Sequence, residues 1–240
     1  MEEICKGREI KANHRYQVSA PQILSSNLLS PIWKQFVEAH TSRAFYLQML
    51  QIFGGIIRET YPWLENFYGK KLEDLSCGIR GISSDAEIVL DCQPGINSPS
   101  TKSSRVRGPH VDNPRELFAA LLYLRDEKDD SVGGALEVYK VRNPKFLFYS
   151  KAEIKDRDVE LVASVPYAAN TMVFFINTIH SIHAVSERHA TPHCRRLVNI
   201  IGELPTLPKG LFEIQRDNSF KTRAMQYLHR KLSPNSAVDY

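Results

Sequence analysis

The stretch that decides the fold is His110-Val111-Asp112-Asn113-Pro114. Residues two apart on an extended backbone point to the same side. The His110 imidazole and the Asp112 carboxylate can therefore hold one metal ion together, after which Asn113-Pro114 turns the chain away. A His-x-Asp tripeptide alone is also compatible with an exposed histidine and an aspartate that caps a turn. The surrounding segments have to decide between these two interpretations.

A second imidazole is available in a distant segment, Ser181-Ile182-His183-Ala184-Val185. Two histidines and one carboxylate on one side of an ion leave other positions open, an arrangement typical of non-haem Fe(II) oxygenases. Strand alternation does not choose between His180 and His183, because a turn can fall between them. His189 and His193 follow in a loop and are expected at the surface.

The segments around these residues have the character of short β-strands. From about residue 85, β-branched and aromatic runs alternate with Gly, Pro and Asn clusters, a pattern that predicts a sandwich or barrel. The loop Pro94–Pro109 precedes the metal-binding segment, and loops of this length are often functional. The predicted strands are Ala86–Cys92, Leu117–Arg125, Ala135–Val141, Val159–Val165, Thr171–Ile176, Ile182–Glu187 and Arg196–Ile201.

Helices are predicted at both ends of the chain. Apolar residues recur at helical spacing from Ile32 to Phe53, after a favourable start at Pro31 and before Gly54-Gly55, where we expect the helix to end. A second helix is expected over Tyr61–Tyr68. A last one is expected over Phe220–Leu232, with Asn218 or Ser219 as its N-cap and a tail after it.

Composition narrows the class of protein. The chain has 240 residues, of which 42% are apolar, enough for a single domain with a substantial core. It contains no apolar run of 18 residues and no apolar segment at its N-terminus, so neither a membrane span nor a secretory signal is expected. Four widely spaced cysteines without a CxxC pair argue against a zinc knuckle and a disulfide framework. We therefore expect a cytoplasmic protein with reduced thiols.

The net charge of +4 is modest and does not require a nucleic-acid partner. Basic residues nevertheless cluster on both sides of the expected metal-binding segments. Such clusters serve solubility in most proteins, but basic charge at the mouth of a cleft would also concentrate an anionic substrate. These clusters are Lys102-Arg105-Arg107, Arg188-His189-His193-Arg195-Arg196 and Arg223-His229-Arg230-Lys231.

The order of these segments resembles that of the Fe(II)- and 2-oxoglutarate-dependent dioxygenases, especially their prolyl-hydroxylase-like branch, over about residues 85–205. The resemblance rests on His-x-Asp, Gly133-Gly134-Ala135-Leu136, the distal histidine and an arginine that opens an apolar strand. It implies a mainly β fold with flanking helices in a single domain, 1–240. Residues 1–80 would form a helical cover on the larger sheet, 85–205 a double-stranded β-helix (jelly-roll or cupin-like) core, and 206–240 a C-terminal helix and tail.

The resemblance also implies the metal ligands, which are the catalytic centre of such enzymes. Ser181–Val185 matches the family's distal-histidine pattern, so we expect His110, Asp112 and His183 as ligands. His180 would then line the pocket or lie in a turn. No substrate-binding residue is predicted.

The cosubstrate, 2-oxoglutarate, needs a cation for its distal carboxylate. Only one residue of the pair Arg195-Arg196 can face inward on a strand: Leu197 and Asn199 would accompany Arg195, or Val198 and Ile200 would accompany Arg196. Relatives with such a pair usually use the second arginine, so we expect Arg196, with Arg195 as the alternative. Less specific motifs imply three further cosubstrate residues: Tyr123, Leu136 and Gln93. Gln93 stands at a position where the prolyl-hydroxylase-like branch has a tyrosine. Tyr123 could instead be a core residue with a satisfied hydroxyl, and Gln93 could lack a cosubstrate role.

The implied activity uses Fe(II), 2-oxoglutarate and O2, with ascorbate as a reductant. It hydroxylates an unactivated C–H bond of an amino acid, an aminoacyl residue or a small metabolite and releases succinate and CO2. The carboxylate of Asp112 favours hydroxylation over halogenation, while desaturation and related outcomes stay open. Two other classes compete: a non-catalytic jelly-roll binding or sensor module, and a zinc-dependent hydrolase, which would give the arginine no role. The oligomeric state is not predicted.

Overall fold

Two β-sheets form the framework of this computed structural model, which describes residues 10–143 and 153–219. The larger sheet has six strands in the order β1-β3-β9-β4-β7, with β2 paired in parallel to β3. The smaller sheet has the order β6-β5-β8. The strands are β1 (Arg15–Gln17), β2 (Cys77–Ile79), β3 (Ile88–Asn97), β4 (Glu116–Tyr123), β5 (Leu136–Val141), β6 (Val159–Val165), β7 (Thr171–Ile176), β8 (Ile182–Val185) and β9 (Arg195–Glu203).

The chain passes repeatedly between the two sheets, as a double-stranded β-helix requires. It leaves the larger sheet after β4, returns at β7, leaves for β8 and returns at β9. All pairings except that of β2 with β3 are antiparallel. Every residue of β3 is buried, because strands flank it on both sides and helices cover its outer face. The predicted mainly β fold with a double-stranded β-helix core is confirmed.

Four helices precede most of the strands and pack on the outer face of the larger sheet. Phe53 stacks on Phe174 of β7 with ring centroids 3.9 Å apart, and the Tyr61 hydroxyl donates to the Asn177 carbonyl at 2.6 Å. One continuous apolar core joins the helices to the sheet. The expected packing on the larger sheet is confirmed. The helices are α1 (Ala20–Ser25), α2 (Pro31–His40), α3 (Arg43–Thr60) and α4 (Leu64–Tyr68).

The single long helix expected from Ile32 to Gly54-Gly55 is wrong. The chain breaks after α2, where the Ser42 hydroxyl caps α3 by accepting a hydrogen bond from the Phe45 amide at 3.1 Å. Both glycines lie inside α3, which continues to Thr60. Gly54 is buried, and a Cβ atom there would lie 3.0 Å from Nη1 of Arg58, so packing explains why a glycine stands inside the helix.

The helical cover expected over residues 1–80 is incomplete, because that region also supplies β1 and β2 to the larger sheet. Likewise, β3 does not end at Cys92 but runs on to Asn97, through residues expected to lie in a loop. The reason is β1, which pairs with this extension and turns it into an interior strand. Gly95 permits the close approach, since a Cβ atom there would lie 2.8 Å from the Tyr16 carbonyl oxygen.

The C-terminal part of the described chain is helical over residues 211–219, a helix that the sequence did not predict. The helix expected over Phe220–Leu232 and the tail after it lie outside the described residues. Within the described ranges, no helix has the length and apolar character needed to cross a membrane. The cysteines described there, Cys77, Cys92 and Cys194, form no disulfide with one another.

Candidate active site

Backbone pairing brings the predicted metal ligands together. His110 and His183 form an antiparallel bridge between the loop before β4 and strand β8, with N–O distances of 3.0 and 2.9 Å. Asp112 follows two residues after His110 on the same side. One ligand atom from each of the three residues lies within 4.8 Å of the other two. Each histidine Nε2 is 3.5 Å from an Asp112 carboxylate oxygen.

The two imidazoles are oriented by backbone carbonyls. Nδ1 of His110 lies 2.8 Å from the Gly108 oxygen, and Nδ1 of His183 lies 2.9 Å from the Ser181 oxygen. A carbonyl can only accept, so Nδ1 carries the proton and donates, which leaves the Nε2 lone pair facing the centre of the triad. Burial lowers the pKa of His183, so its imidazole is held in the neutral form that binds metals.

The carboxylate of Asp112 is kept ionised. Burial by itself would raise the pKa of Asp112. Interactions with His110, His183 and Arg107 outweigh burial and lower the pKa to about 2. The Arg107 Nη1 atom is 3.8 Å from the carboxylate. Two neutral imidazoles and one carboxylate are a donor set that suits Fe(II).

The other nearby histidines lie outside this cluster. His180 is exposed in the turn before β8, where its amide donates to the Thr178 hydroxyl at 3.0 Å. His189 is exposed as well, and His193 pairs with Asp130 at 3.3 Å. The geometry therefore selects His183 from the histidines that follow residue 179.

The triad opens into a cavity of about 360 Å³ between the two sheets. Apolar side chains from both sheets form part of its wall, and among them Phe175 packs against His183 with ring centroids 4.8 Å apart. Polar side chains from β1, β3 and β9 form the opposite part. Besides the triad, the lining includes Leu121, Leu136, Phe175, Leu197, Arg195, Asn97, Gln93, Asn199, Gln17, Arg15, Arg80 and Arg107.

The expectation that Arg196 faces inward is wrong; Arg195 does. Arg195 is 2% exposed, lines the cavity and donates to the Gly134 carbonyl at 2.7 Å. Arg196 is exposed and pairs with Asp126 at 2.6 Å on the other face of β9. The cause is strand register: Arg195 lies opposite Asn97 of β3, and its Nη1 atom donates to the Asn97 side chain at 3.1 Å.

Two buried polar atoms lack a partner among the described residues: Nη2 of Arg195, which lines the cavity, and the hydroxyl of Tyr123, whose ring contacts the Arg195 guanidinium but does not line the cavity. Buried polar atoms are almost always hydrogen-bonded, so two neighbouring donors without a partner indicate a missing acceptor. Burial lowers the pKa of Arg195 and raises the pKa of Tyr123. A bound anion would counteract the lowering of the Arg195 pKa. A carboxylate fits both donors, since arginine binds it through parallel charge-assisted bonds.

Leu136 and Gln93 also line the cavity, as the resemblance implied. The Gln93 amide is already engaged with other residues of the wall: its oxygen accepts from Gln17 at 2.9 Å and from Asn199 at 3.3 Å, and its nitrogen donates to Asp91 at 2.6 Å. Its contact with a cosubstrate stays a prediction.

Sequence reasoning missed the contribution of the N-terminal strand. Arg15 and Gln17 reach the cavity from β1, a segment that was expected to carry no site residue. Arg15-Tyr16-Gln17-Val18 alternates polar and apolar side chains, but four residues are too few for this pattern to indicate a strand by itself. Arg188 was also missed: it is buried and donates to Asn13 at 3.0 Å.

A double-stranded β-helix that holds a 2-His-1-carboxylate cluster beside a buried arginine defines the class of non-haem iron oxygenases. Comparison with known protein families agrees. Residues 102–200, the segment that carries the triad, match the model of the 2OG-Fe(II) oxygenase superfamily. Its members use Fe(II), 2-oxoglutarate and O2; here the triad fits Fe(II), and Arg195 fits a carboxylate of 2-oxoglutarate.

Solved structures with a related chain path have low sequence identity. A prolyl-4-hydroxylase of Pseudomonas putida is 13% identical over 79% of this chain and 71% of its own, with a TM-score of 0.41. A prolyl 4-hydroxylase of Phytophthora capsici is 16% identical over 80% of this chain and 48% of its own (TM-score 0.43). A 2OG-Fe(II) oxygenase-family oxidoreductase of Burkholderia pseudomallei is 20% identical over 50% and 47% (TM-score 0.29). No curated protein matches the chain.

Proposed function

We propose that this chain is an Fe(II)- and 2-oxoglutarate-dependent dioxygenase that hydroxylates a C–H bond of an amino acid, an aminoacyl residue or a small metabolite. The observation that carries the proposal is one cavity with two complementary ends. His110, Asp112 and His183 converge at one end, and Arg195 presents an unpaired buried donor at the other. The catalytic core would span residues 85–205, with one strand of the N-terminal cover completing the cavity wall.

In this proposal His110, Asp112 and His183 hold Fe(II). The bound iron supplies O2 activation coupled to decarboxylation of 2-oxoglutarate to succinate. The protein residues supply ligation, orientation and exclusion of water. Gly108 and Ser181 fix the tautomer of the two histidines through their carbonyls, so that both Nε2 atoms stay available to the metal.

Arg195 and Tyr123 would bind the distal carboxylate of 2-oxoglutarate. Arg195 is held by Gly134 and Asn97, so its remaining donor is already oriented before the cosubstrate arrives. Its guanidinium lies over the Tyr123 ring, with 4.7 Å between the guanidinium carbon and the ring centroid. Preorganisation of this kind lowers the entropic cost of binding. Leu136 and Leu197 would enclose the aliphatic part of the cosubstrate.

The proposal is tested by succinate formation. Purified protein with Fe(II), ascorbate and 2-oxoglutarate is screened with amino acids, short peptides and small metabolites, and succinate is measured with and without each compound. We expect at least one compound to stimulate succinate release and to gain one oxygen atom by mass spectrometry. His110→Ala should abolish both signals, and His180→Ala serves as the matched control. Native protein that contains zinc and does not bind 2-oxoglutarate would contradict the proposal.

A further inference from the structure

Arg15 belongs to a row of side chains that crosses three strands of the larger sheet. It lies opposite Asn97 of β3, which in turn lies opposite Arg195 of β9. Directly paired residues on neighbouring strands point to the same face of a sheet. All three therefore face the cavity, with Arg195 deep inside and Arg15 exposed towards the opening.

The backbone that carries Arg15 is anchored on both sides. Strand β1 pairs with β3 through Tyr16 and Gln17. Before the strand, the Asn13 side chain donates to Ser104 at 2.9 Å and accepts from Arg188 at 3.0 Å. The position of Arg15 relative to the triad is thus set by the fold, while its guanidinium extends from a fixed strand into the cavity.

No carboxylate of the described residues pairs directly with Arg15, although Asp112 and Glu116 attract its charge from farther away. Across residues 10–143 and 153–219, the structure gives Arg15 no ion pair and no side-chain hydrogen bond. By contrast, Arg80 pairs with Glu203 at 3.1 Å and Arg107 approaches Asp112 at 3.8 Å. Arg195 and Arg107 place two further positive charges near Arg15, and their repulsion disfavours the cation. An anion placed beside it would relieve this cost.

Arg195 and Tyr123 already provide the donors for one carboxylate, that of the cosubstrate in the proposed function. Arg15 lies nearer the opening, and the polar side chain of Gln17 lies beside it on the same strand face. An anion bound there would sit on the side from which a substrate enters. Basic charge at the mouth of a cleft also raises the local concentration of anions and their rate of arrival.

We propose that Arg15 binds an anionic group of the substrate, a carboxylate or a phosphate, and thereby selects acidic metabolites for oxidation. The inference rests on the proposed function and adds the substrate class to it. Arg15 lies outside residues 102–200, the segment that matches the superfamily, so this specificity would be a feature of the chain's own N-terminal strand.

The first experiment measures anion binding directly. Protein loaded with Mn(II) and N-oxalylglycine, a stable analogue of 2-oxoglutarate, is titrated by calorimetry with acetate and, separately, with inorganic phosphate. We expect one of the two to bind the wild type, at least tenfold weaker binding in Arg15→Gln, and partial recovery in Arg15→Lys. Arg157→Gln, which changes an exposed arginine that does not line the cavity, should bind as the wild type does. Equal binding in Arg15→Gln, or no binding by the wild type, would overturn the proposal.

The loading step separates this proposal from the proposed function. If the wild type does not take up Mn(II) and N-oxalylglycine, the proposed function fails. The anion titrations of wild type and Arg15→Gln are then repeated on metal-free protein. There the wild type should still bind one anion that Arg15→Gln does not bind. If N-oxalylglycine binds the wild type but tenfold more weakly to Arg15→Gln, Arg15 belongs to the cosubstrate site and the substrate proposal is overturned.

The second experiment uses matched substrates. Each compound that stimulates succinate formation is compared with its neutral counterpart, a carboxylate with its primary amide and a phosphate ester with its alcohol. We expect the neutral form to lose at least tenfold in apparent affinity with wild-type protein and to differ little from the anionic form with Arg15→Gln. Which pair shows the effect distinguishes a carboxylate from a phosphate. Equal stimulation by both members of every pair would overturn the proposal.

Discussion

The guanidinium carbon of Arg195 lies 4.7 Å from the ring centroid of Tyr123, and each of these side chains buries one donor that has no partner among the described residues. Two neighbouring unpaired donors are costly in a folded protein, at about 1–3 kcal/mol for each buried group without a partner. A site that binds an anion recovers this cost on binding. The pair therefore indicates where the affinity for 2-oxoglutarate would originate.

Arg195→Gln should weaken 2-oxoglutarate binding much more than Arg196→Gln. Arg195 is buried in the cavity wall, whereas Arg196 forms an exposed pair with Asp126. A hydrogen bond to a charged group contributes roughly 1.5–3 kcal/mol, so about tenfold to a hundredfold loss of affinity is expected for Arg195→Gln. Less than about twofold is expected for Arg196→Gln, because exposed ion pairs contribute little. Calorimetric titration of the Mn(II)-loaded variants checks both values, and a larger effect at Arg196 would reverse the assignment.

Tyr123→Phe should weaken 2-oxoglutarate binding without destabilising the protein. The substitution removes a buried hydroxyl that has no partner among the described residues and leaves the ring in place. Loss of one charge-assisted hydrogen bond of about 1.5–3 kcal/mol predicts at least tenfold weaker cosubstrate binding. The melting temperature of the variant without ligand should be unchanged or slightly higher. A marked loss of stability together with unchanged binding would instead make Tyr123 a core residue.

The sequence predicted the triad because its ligands follow local rules. His110 and Asp112 are two residues apart on extended backbone, and His183 lies in a strand whose neighbours match the family pattern. The first part of β3 and the strands β4, β7 and β9 of the larger sheet were predicted for a similar reason, since they are apolar runs bounded by turn residues. These features can be identified in a few consecutive residues and do not depend on how distant segments pair.

The inward arginine and strand β1 could not be predicted in the same way. Alternation along β9 allowed either Arg195 or Arg196 to face the cavity, and the choice follows from the register with β3, where Arg195 meets Asn97. Similarly, Arg15–Gln17 is too short to stand out as a strand and becomes one by pairing with the end of β3. Both outcomes depend on contacts between residues more than 75 positions apart, which local patterns do not contain.

His183→Ala should abolish metal binding, whereas His180→Ala should leave it intact. The His183 ring is buried within the triad and faces Asp112 at 3.5 Å, but His180 is exposed in a turn. Removing one of three protein ligands leaves too few donors to retain Fe(II) or Mn(II) at micromolar concentrations. Metal content after gel filtration, measured by atomic emission, checks the two variants side by side. Loss of metal from His180→Ala would mean that the triad uses a different histidine.

Gly134→Ala should lower both stability and cosubstrate affinity, because Gly134 shapes the position of Arg195. Its φ of +80° is unfavourable for residues with a side chain, and a Cβ atom there would lie 3.1 Å from Cδ of Arg195. Left-handed backbone costs an alanine about 1–2 kcal/mol, which corresponds to a melting temperature roughly 2–8 °C lower in a protein of this size. Displacement of Arg195 should also weaken 2-oxoglutarate binding several-fold. Gly55→Ala is the matched control, since its Cβ would meet open space on helix α3 and should stabilise the protein by about 0.5–1 kcal/mol. Normal cosubstrate affinity in a folded Gly134→Ala protein would show that the position of Arg195 does not depend on this glycine.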